Sequence, residues 1–347
     1  MEWNVIGHEW AARLLQQHIA NGEARHAYLF TGPAGIGRRT LALRFAQALN
    51  CANPPAPGLP CGDCRACQQI ERQQHTDLAV VQAERVGGDL KIDAVRELQR
   101  SLSLAPYESR YRIALLPRFH EANANAQNAL LKTLEEAPGH VILLLTADSA
   151  EDLLPTITSR CEVMRLRPQP LATVAGALQS QWGAPPEEAR MLAHVSAGCL
   201  GTAVGLHQQP ELLEKRRAWL DDLWELLGED YLARFAWAEK HTVFKGKART
   251  DREAMRENLH DAYRTWLSFW RDVMLRSAGA QAALVNIDIE ERVQAAAVQT
   301  GLETARRQAA ALEKGLARLN SANLQLLTET LLMDWPRIGG FRFVVGL

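Results

Sequence analysis

Gly32 to Thr40 reads GPAGIGRRT, which follows the phosphate-binding loop G-x-x-x-x-G-K-[ST] everywhere except at its reactive end. Gly32, Gly35 and Gly37 permit the tight turn whose backbone N–H groups surround phosphates. Arg38 stands where the lysine belongs, and Arg39 where a hydroxyl would hold Mg²⁺. Thr40 comes one residue late, and because each helical residue turns by about 100°, its hydroxyl does not simply replace the missing ligand. Arg38 keeps a positive charge, yet a planar guanidinium is not equivalent to a compact ammonium at the β/γ-phosphates. Ala27-Tyr28-Leu29-Phe30 before the loop reads as a strand and Leu41 to Leu49 after it as a helix. That context favours a degenerate NTPase loop over an ordinary Gly-rich turn of an α/β protein.

A catalytic NTPase also needs acidic residues at the end of a second apolar strand, to hold Mg²⁺. Ile113-Ala114-Leu115-Leu116 is such a strand, but it runs into Pro117-Arg118-Phe119-His120, with no Asp or Glu in place. Proline lacks a backbone donor and ends strands, so this position has changed structurally as well.

Cys51, Cys61, Cys64 and Cys67 form C-x9-C-x2-C-x2-C. Four thiolates in one short excursion suit closed tetrahedral Zn²⁺ coordination, a structural site with no open position. The Pro-rich stretch Asn53 to Pro60, NPPAPGLP, would swing the last three ligands back towards Cys51. Disulfides are one rival, disfavoured in a reducing compartment. An iron–sulfur cluster is another, although ferredoxin-type runs place the fourth cysteine after the other three and here it precedes them. Cys161 and Cys199 are far away and read as small buried residues.

Several further motifs stand in a recognisable order. Val5-Ile6-Gly7 lies near the start, His26 to Phe30 precedes the loop, and Ala126 to Pro138 reads AQNALLKTLEEAP. Thr158-Ser159-Arg160-Cys161 follows, and Leu319 to Pro336 reads LNSANLQLLTETLLMDWP. Together they resemble the AAA+ clamp-loader subunits of bacterial DNA polymerase III, with specific motifs from about residue 5 to 205 and a general helical likeness beyond. The resemblance implies a fold. It consists of a degenerate α/β AAA+ (P-loop-like, RecA-like) domain over residues 1–166 with a zinc module at 51–67, a small helical lid over 167–207, and an all-α collar over 208–347.

The resemblance also implies partners and roles. They are the motor (gamma/tau) and delta subunits in a five-membered ring, with the sliding clamp and primer–template DNA met through that complex during replication in the cytoplasm. Arg160 would act in trans as an arginine finger on a neighbour's nucleotide, as such arginines do in other NTPases. The chain departs from the motor pattern at Arg38, Arg39, Pro117 and Arg118. It also departs at Ala147, where one hydroxyl of a sensor Thr-Thr pair is missing, and at Gly201, where a sensor arginine would stand. These losses imply a subunit without ATP turnover of its own, whose loop (Gly32, Gly35, Gly37, Arg38, Arg39) needs no nucleotide. Two other readings stand beside it. An active motor ATPase would need Arg38 and some other carboxylate as substitutes, and a zinc-dependent nucleic-acid-binding module would need a basic surface around Cys51 to Cys67, where Asp63 and Arg65 balance.

With 47% hydrophobic and 23% charged residues over 347 positions, the chain is an ordinary folded protein of two or three domains. A formal net charge of −1 supplies no overall basic footprint for autonomous DNA binding. The start, MEWNVIGHEW, lacks a basic region followed by an apolar core, and the longest purely aliphatic run is Val141 to Leu145. Neither a secretion signal nor a membrane span is expected.

Strands are expected at Ala27–Phe30, Leu78–Val81, Ile113–Leu116 and Val141–Thr146, alternating with helices, one of them N-capped by Asp93. Leu171, Val174, Leu178, Ala189, Leu192 and Val195 mark two or three short helices, and the chain after about 208 is helical in pattern. There Leu259, Ala262, Tyr263, Trp266, Phe269, Trp270 and Val273 form a stripe at helical spacing, read as core or subunit packing rather than ligand stacking. Lys245-Gly246-Lys247-Ala248-Arg249 and Arg306-Arg307 read as solvated surface charge.

Overall fold

The apolar runs Ala27–Phe30, Ile113–Leu116 and Val141–Thr146 become strands buried on both faces, the condition under which parallel sheets form, while Leu78–Val80 is half-buried at the edge. The computed structural model describes residues 3–243 and 249–338; Lys245 to Ala248 of the basic cluster lie outside the described residues. Contacts divide the chain into two compact units, one holding the residues up to Trp182 and Gly198–Ala203, the other Gly183–Ala197 and the residues from Val204 on.

In the first unit the elements run α1 (Glu9–Ala20), β1 (Ala27–Thr31), α2 (Arg38–Asn50), α3 (Arg65–Glu71), β2 (Leu78–Val80), α4 (Ile92–Leu102), β3 (Arg112–Leu116), α5 (Ala124–Glu135), β4 (Val141–Ala147), α6 (Pro155–Thr158), β5 (Glu162–Arg165) and α7 (Leu171–Trp182). The strands are parallel in the order β2-β3-β4-β1-β5. Alternate residues divide between the faces. Tyr28, Phe30, Ile113, Leu115, Ile142 and Leu144 pack with Leu15, Leu41 and Phe45 of α1 and α2. Ala27, Leu29, Ala114, Leu116, Leu143 and Leu145 pack with Val95, Leu98, Leu130 and Leu134 of α4 and α5. The chain leaves β1 towards one side of the sheet, whereas β5 pairs on the other. The Gly32 loop therefore sits at the carboxyl ends of the strands where their order reverses, the usual position of a ligand crevice in such sheets.

Two local expectations differ from the structure. The fifth strand, Glu162–Arg165, was not anticipated, because its four residues are too few for alternation to be distinguished from a loop. Helix α4 starts at Ile92 with Lys91 as an uncapped N-terminus, so Asp93 lies within the first turn, where its carboxylate faces the helix dipole and lies 3.8 Å from Arg96.

The second unit is helical: α8 (Pro186–Val195), most of α9 (Leu200–Gln208), α10 (Pro210–Gly228), α11 (Tyr231–Thr242), α12 (Arg249–Ser277), α13 (Glu290–Arg318) and α14 (Leu324–Met333). The expected stripe on α12 is buried throughout and packs against Val293, Ala296, Ala305 and Leu312 of α13. Trp266 Nε1 donates to Trp219 O at 2.7 Å, and the Trp266 ring meets Trp335 edge to face at 5.0 Å. Both rings are thus core elements. Gly301, at φ 72°, interrupts α13 with a kink. Arg306 pairs with Glu303 at the surface at 2.8 Å.

Arg234 of α11 is buried and closes this unit. Its Nε donates to Leu226 O (2.9 Å), Nη1 to Leu332 O (3.2 Å) and Trp335 O (2.8 Å), and Nη2 to Pro336 O (3.1 Å). One guanidinium thereby serves carbonyls at the ends of α10 and α14 and in the segment that follows α14. Arg234→Met keeps the apolar stem but removes the donor to all four, leaving Leu226 O and Leu332 O only their long backbone bonds from Glu229 N and Trp335 N, and is expected to lower stability by about 3 kcal/mol. The check is a urea transition followed by tryptophan fluorescence. A loss below about 1 kcal/mol would show that water replaces the guanidinium freely.

Among the described residues no helix is long and apolar enough to cross a membrane.

Candidate functional site

The glycines of the loop are required by its geometry. Gly32, Gly35 and Gly37 have φ of 141°, 74° and 107°, and a Cβ on Gly32 would stand 2.5 Å from Leu166 O. Gly37 is the N-cap of α2 and offers no side-chain cap. The phosphate scaffold is therefore intact, but the charge at the lysine position is turned inwards. Arg38 is buried, with Nη1 2.7 Å from Asp148 Oδ1, an ion pair rather than an aligned hydrogen bond. Gly32 N donates to Asp148 O at 3.1 Å, which ties the loop to the end of β4. Arg39 reaches out of the loop and donates from Nη2 to Gln73 Oε1 at 2.6 Å, and Thr40 is exposed.

The other departures also have physical consequences. Gly201 N donates to Gly35 O at 2.8 Å, and a Cβ at position 201 would lie 2.7 Å from that oxygen, so the approach leaves no room for a sensor side chain. The hydroxyl of Thr202 donates to Ala34 O at 3.3 Å. At the end of β4, Ala147 is buried, and the Thr146 hydroxyl accepts from Arg118 N at 2.9 Å. Arg118 follows Pro117 at φ 48° and pairs with Glu121 at 2.9 Å. Glu121 also accepts from Gly87 N at 2.7 Å. Asp148 and Glu121 are thus both engaged by arginines.

The four cysteines meet as their spacing suggests. Cys51 caps the C-terminus of α2, and Cys64 caps the N-terminus of α3, its sulfur accepting from Cys67 N. The Pro-rich loop between them folds back because Trp3 Nε1 donates to Gly58 O at 2.9 Å, a buried bond. Gln47 Nε2 donates to Cys67 O at 2.8 Å and fixes α3 against α2. All four Sγ atoms lie within 4.8 Å of one another, with Cys51–Cys61 at 3.5 Å and Cys51–Cys64 and Cys61–Cys67 at 4.0 Å.

Sulfurs about 2.3 Å from one tetrahedral ion are about 3.8 Å apart, so the arrangement fits a metal ion held by four thiolates. Backbone N–H groups of Cys61 and Cys64 point at sulfurs at 3.3 Å, and that of Cys67 at 3.5 Å. Burial would push the Cys64 thiol up, but N–H groups of Cys67 and Ala52 and the neighbouring thiols outweigh it and bring it down to about 6. Burial pushes the thiols of Cys51 and Cys67 up. Outside the cluster, Cys161 is pushed up to about 12 by burial, and Cys199 is buried.

Arg160 follows α6. Its N–H donates to Ile157 O at 3.0 Å, Ile157 is buried, and β5, which starts two residues later, pairs with β1. The backbone is anchored to the sheet while the side chain remains 36% exposed. Nη2 lies 2.6 Å from Glu135 Oε1, and Nη1 donates to Thr156 O at 2.9 Å. The guanidinium lines a cleft of about 420 Å³ with Arg25, His26, Glu135 and Glu162.

Sequence reasoning singled out neither Asp148 as the partner of Arg38 nor Glu135 as that of Arg160. No local signal joins Arg38 to Asp148. The strand register does, because Thr31 is opposite Ala147, so the residues that follow each strand are neighbours.

Comparison with known proteins gives a consistent picture. A family model described as "DNA polymerase III, delta subunit" matches residues 7–170. The chain is 36% identical over 229 residues to the DNA polymerase III subunit delta' of Pseudomonas aeruginosa, which covers 65% of this chain and 68% of that protein. It is 30% identical over 322 residues to subunit delta' of Bacillus subtilis, 92% and 94% of the two lengths. It is also 35% identical over 159 residues to subunit tau of Bacillus subtilis, which covers 46% of this chain and 28% of tau.

Proposed function

Since this chain belongs to the family of DNA polymerase III delta-prime subunits, we propose that it is the clamp-loader subunit that completes the ring without an ATPase site of its own. One contrast carries the reading. The arginine inside the phosphate loop is consumed by Asp148, whereas Arg160, on a rigid backbone, stays accessible. Nucleotide phosphates entering the loop would meet a carboxylate already seated on Arg38 and no ligand for Mg²⁺. Arg160 instead serves a nucleotide held by an adjacent motor subunit of the tau/gamma kind, where a guanidinium stabilises charge in the transition state.

In this reading the other partners are the delta subunit and, through the pentamer, the sliding clamp and primer–template DNA in the cytoplasm. The AAA+ domain (1–166) carries Arg160, the lid is 167–207, and the helical collar (208–347) holds the ring together. Cys51, Cys61, Cys64 and Cys67 hold one structural Zn²⁺, which would tie the loop between α2 and α3 into a fixed shape and supply no reactive position.

Two measurements test the proposal. Steady-state ATP hydrolysis by the isolated chain should stay at background and remain there in Arg38→Ala. Mixed with tau and delta subunits, the chain should enter a complex of defined mass whose clamp-loading activity requires it. Turnover by the isolated chain that disappears in Arg38→Ala would instead identify an active motor subunit.

A further inference from the structure

A finger arginine must combine reach with order. The backbone of Arg160 is fixed by the Ile157 carbonyl and by β5, but four rotatable bonds separate it from the guanidinium. Three contacts limit that freedom, the Thr156 carbonyl 2.9 Å and the Ser159 hydroxyl 3.5 Å from Nη1, and the Glu135 carboxylate 2.6 Å from Nη2. Glu135 is the last residue of α5, whose start is fixed by the Asn123 side chain accepting from Ala126 N at 3.0 Å. Buried Leu130 and Leu134 lock α5 to the sheet. His26 Nε2, 2.9 Å from Leu134 O, ties the end of this helix to the start of β1. The carboxylate is therefore presented from a rigid element.

A guanidinium has five N–H donors. Thr156 O and Ser159 Oγ engage Nη1 and Glu135 engages Nη2, which leaves Nε–H and one N–H of Nη2 for a phosphate.

We infer that Glu135 is a positioning residue for Arg160, which holds the guanidinium extended over the cleft in the orientation in which it meets the neighbour's nucleotide. The inference rests on the proposed role of Arg160 in trans. Glu135 touches no substrate and acts by removing rotamer freedom that Arg160 would otherwise lose at each encounter. Freezing one long side chain corresponds to about a 2- to 10-fold change, much less than deletion of the arginine.

The test uses the reconstituted complex with clamp and primed DNA. Glu135→Ala should lower the maximal rate of ATP hydrolysis at the Arg160 interface about 2- to 10-fold, read as a smaller fall in total turnover that lies between wild type and Arg160→Ala, with KM for ATP and complex mass unchanged. Glu135→Gln, which keeps an acceptor for Nη2, should recover part of the loss. The double variant Glu135→Ala/Arg160→Ala should be no slower than Arg160→Ala alone, because Glu135 works only through the arginine. A Glu135→Ala rate equal to or above wild type overturns the inference while leaving the finger intact, and a faster rate would mean that the carboxylate sequesters Arg160. A loss in Glu135→Ala that persists on the Arg160→Ala background also overturns it, since Glu135 would then act elsewhere. If Arg160→Ala itself turns over ATP like wild type, the finger reading fails and this inference with it.

Discussion

Cys64→Ser is expected to cost the chain its zinc and to unfold residues 51–67 while the sheet persists. Nearly every side chain from Ala52 to Ala66 is exposed or half-buried, so the excursion has little apolar surface with which to offset its ordering entropy. In the proposed reading its shape then depends on the metal. Structural zinc contributes about 10–16 kcal/mol in isolated fingers, far more than the Trp3–Gly58 and Gln47–Cys67 hydrogen bonds supply. Elemental analysis of protein purified without added metal should find about one zinc per chain in wild type and much less in the variant. Limited proteolysis should newly cut between Ala52 and Asp63, and tryptophan fluorescence of the second unit should be unchanged. Iron in stoichiometric amount with visible absorption, or a metal-free protein with four reactive thiols, would refute the zinc assignment.

Arg160→Ala should leave folding and assembly intact and slow ATP hydrolysis by the adjacent motor subunit. The side chain is partly exposed and its pair with Glu135 lies at the surface, where such pairs contribute little to stability. An arginine acting in trans at a γ-phosphate can contribute on the order of 10³–10⁵ in rate at its own interface. The fall for the whole complex should be smaller, since in the proposed ring other interfaces would retain arginines of their own. Arg160→Lys should not restore the rate, since a point charge lacks the forked geometry. DNA- and clamp-stimulated turnover, with assembly checked by mass, decides the matter. Normal assembly with wild-type turnover and loading would remove Arg160 from the catalytic account and leave the family membership standing.

Much of the site was legible because the informative features are local. The glycines of GPAGIGRRT state a backbone requirement that only glycine meets cheaply, and their positive φ values agree with it. Four cysteines within one excursion can converge whatever surrounds them, and they do. Short apolar runs located four of the five strands, and the stripe from Leu259 to Val273 identified the core of the second unit. The short strand Glu162–Arg165 was missed because its pairing with β1, not its own pattern, makes it a strand.

By itself, the sequence determined that the phosphate loop keeps its backbone and lacks its lysine and its Mg²⁺ ligands, since these are statements about which side chains exist. Only the tertiary structure decided what became of the charges left behind. Arg38 could have faced solvent or a ligand. It faces Asp148 because β4 lies beside β1 in a register that sets residue 148 next to the loop. Arg160 likewise meets Glu135 because α5 and α6 pack at one end of the sheet. Such pairings depend on strand order and helix packing between residues distant in sequence, and charge alone does not specify which acid an arginine will find.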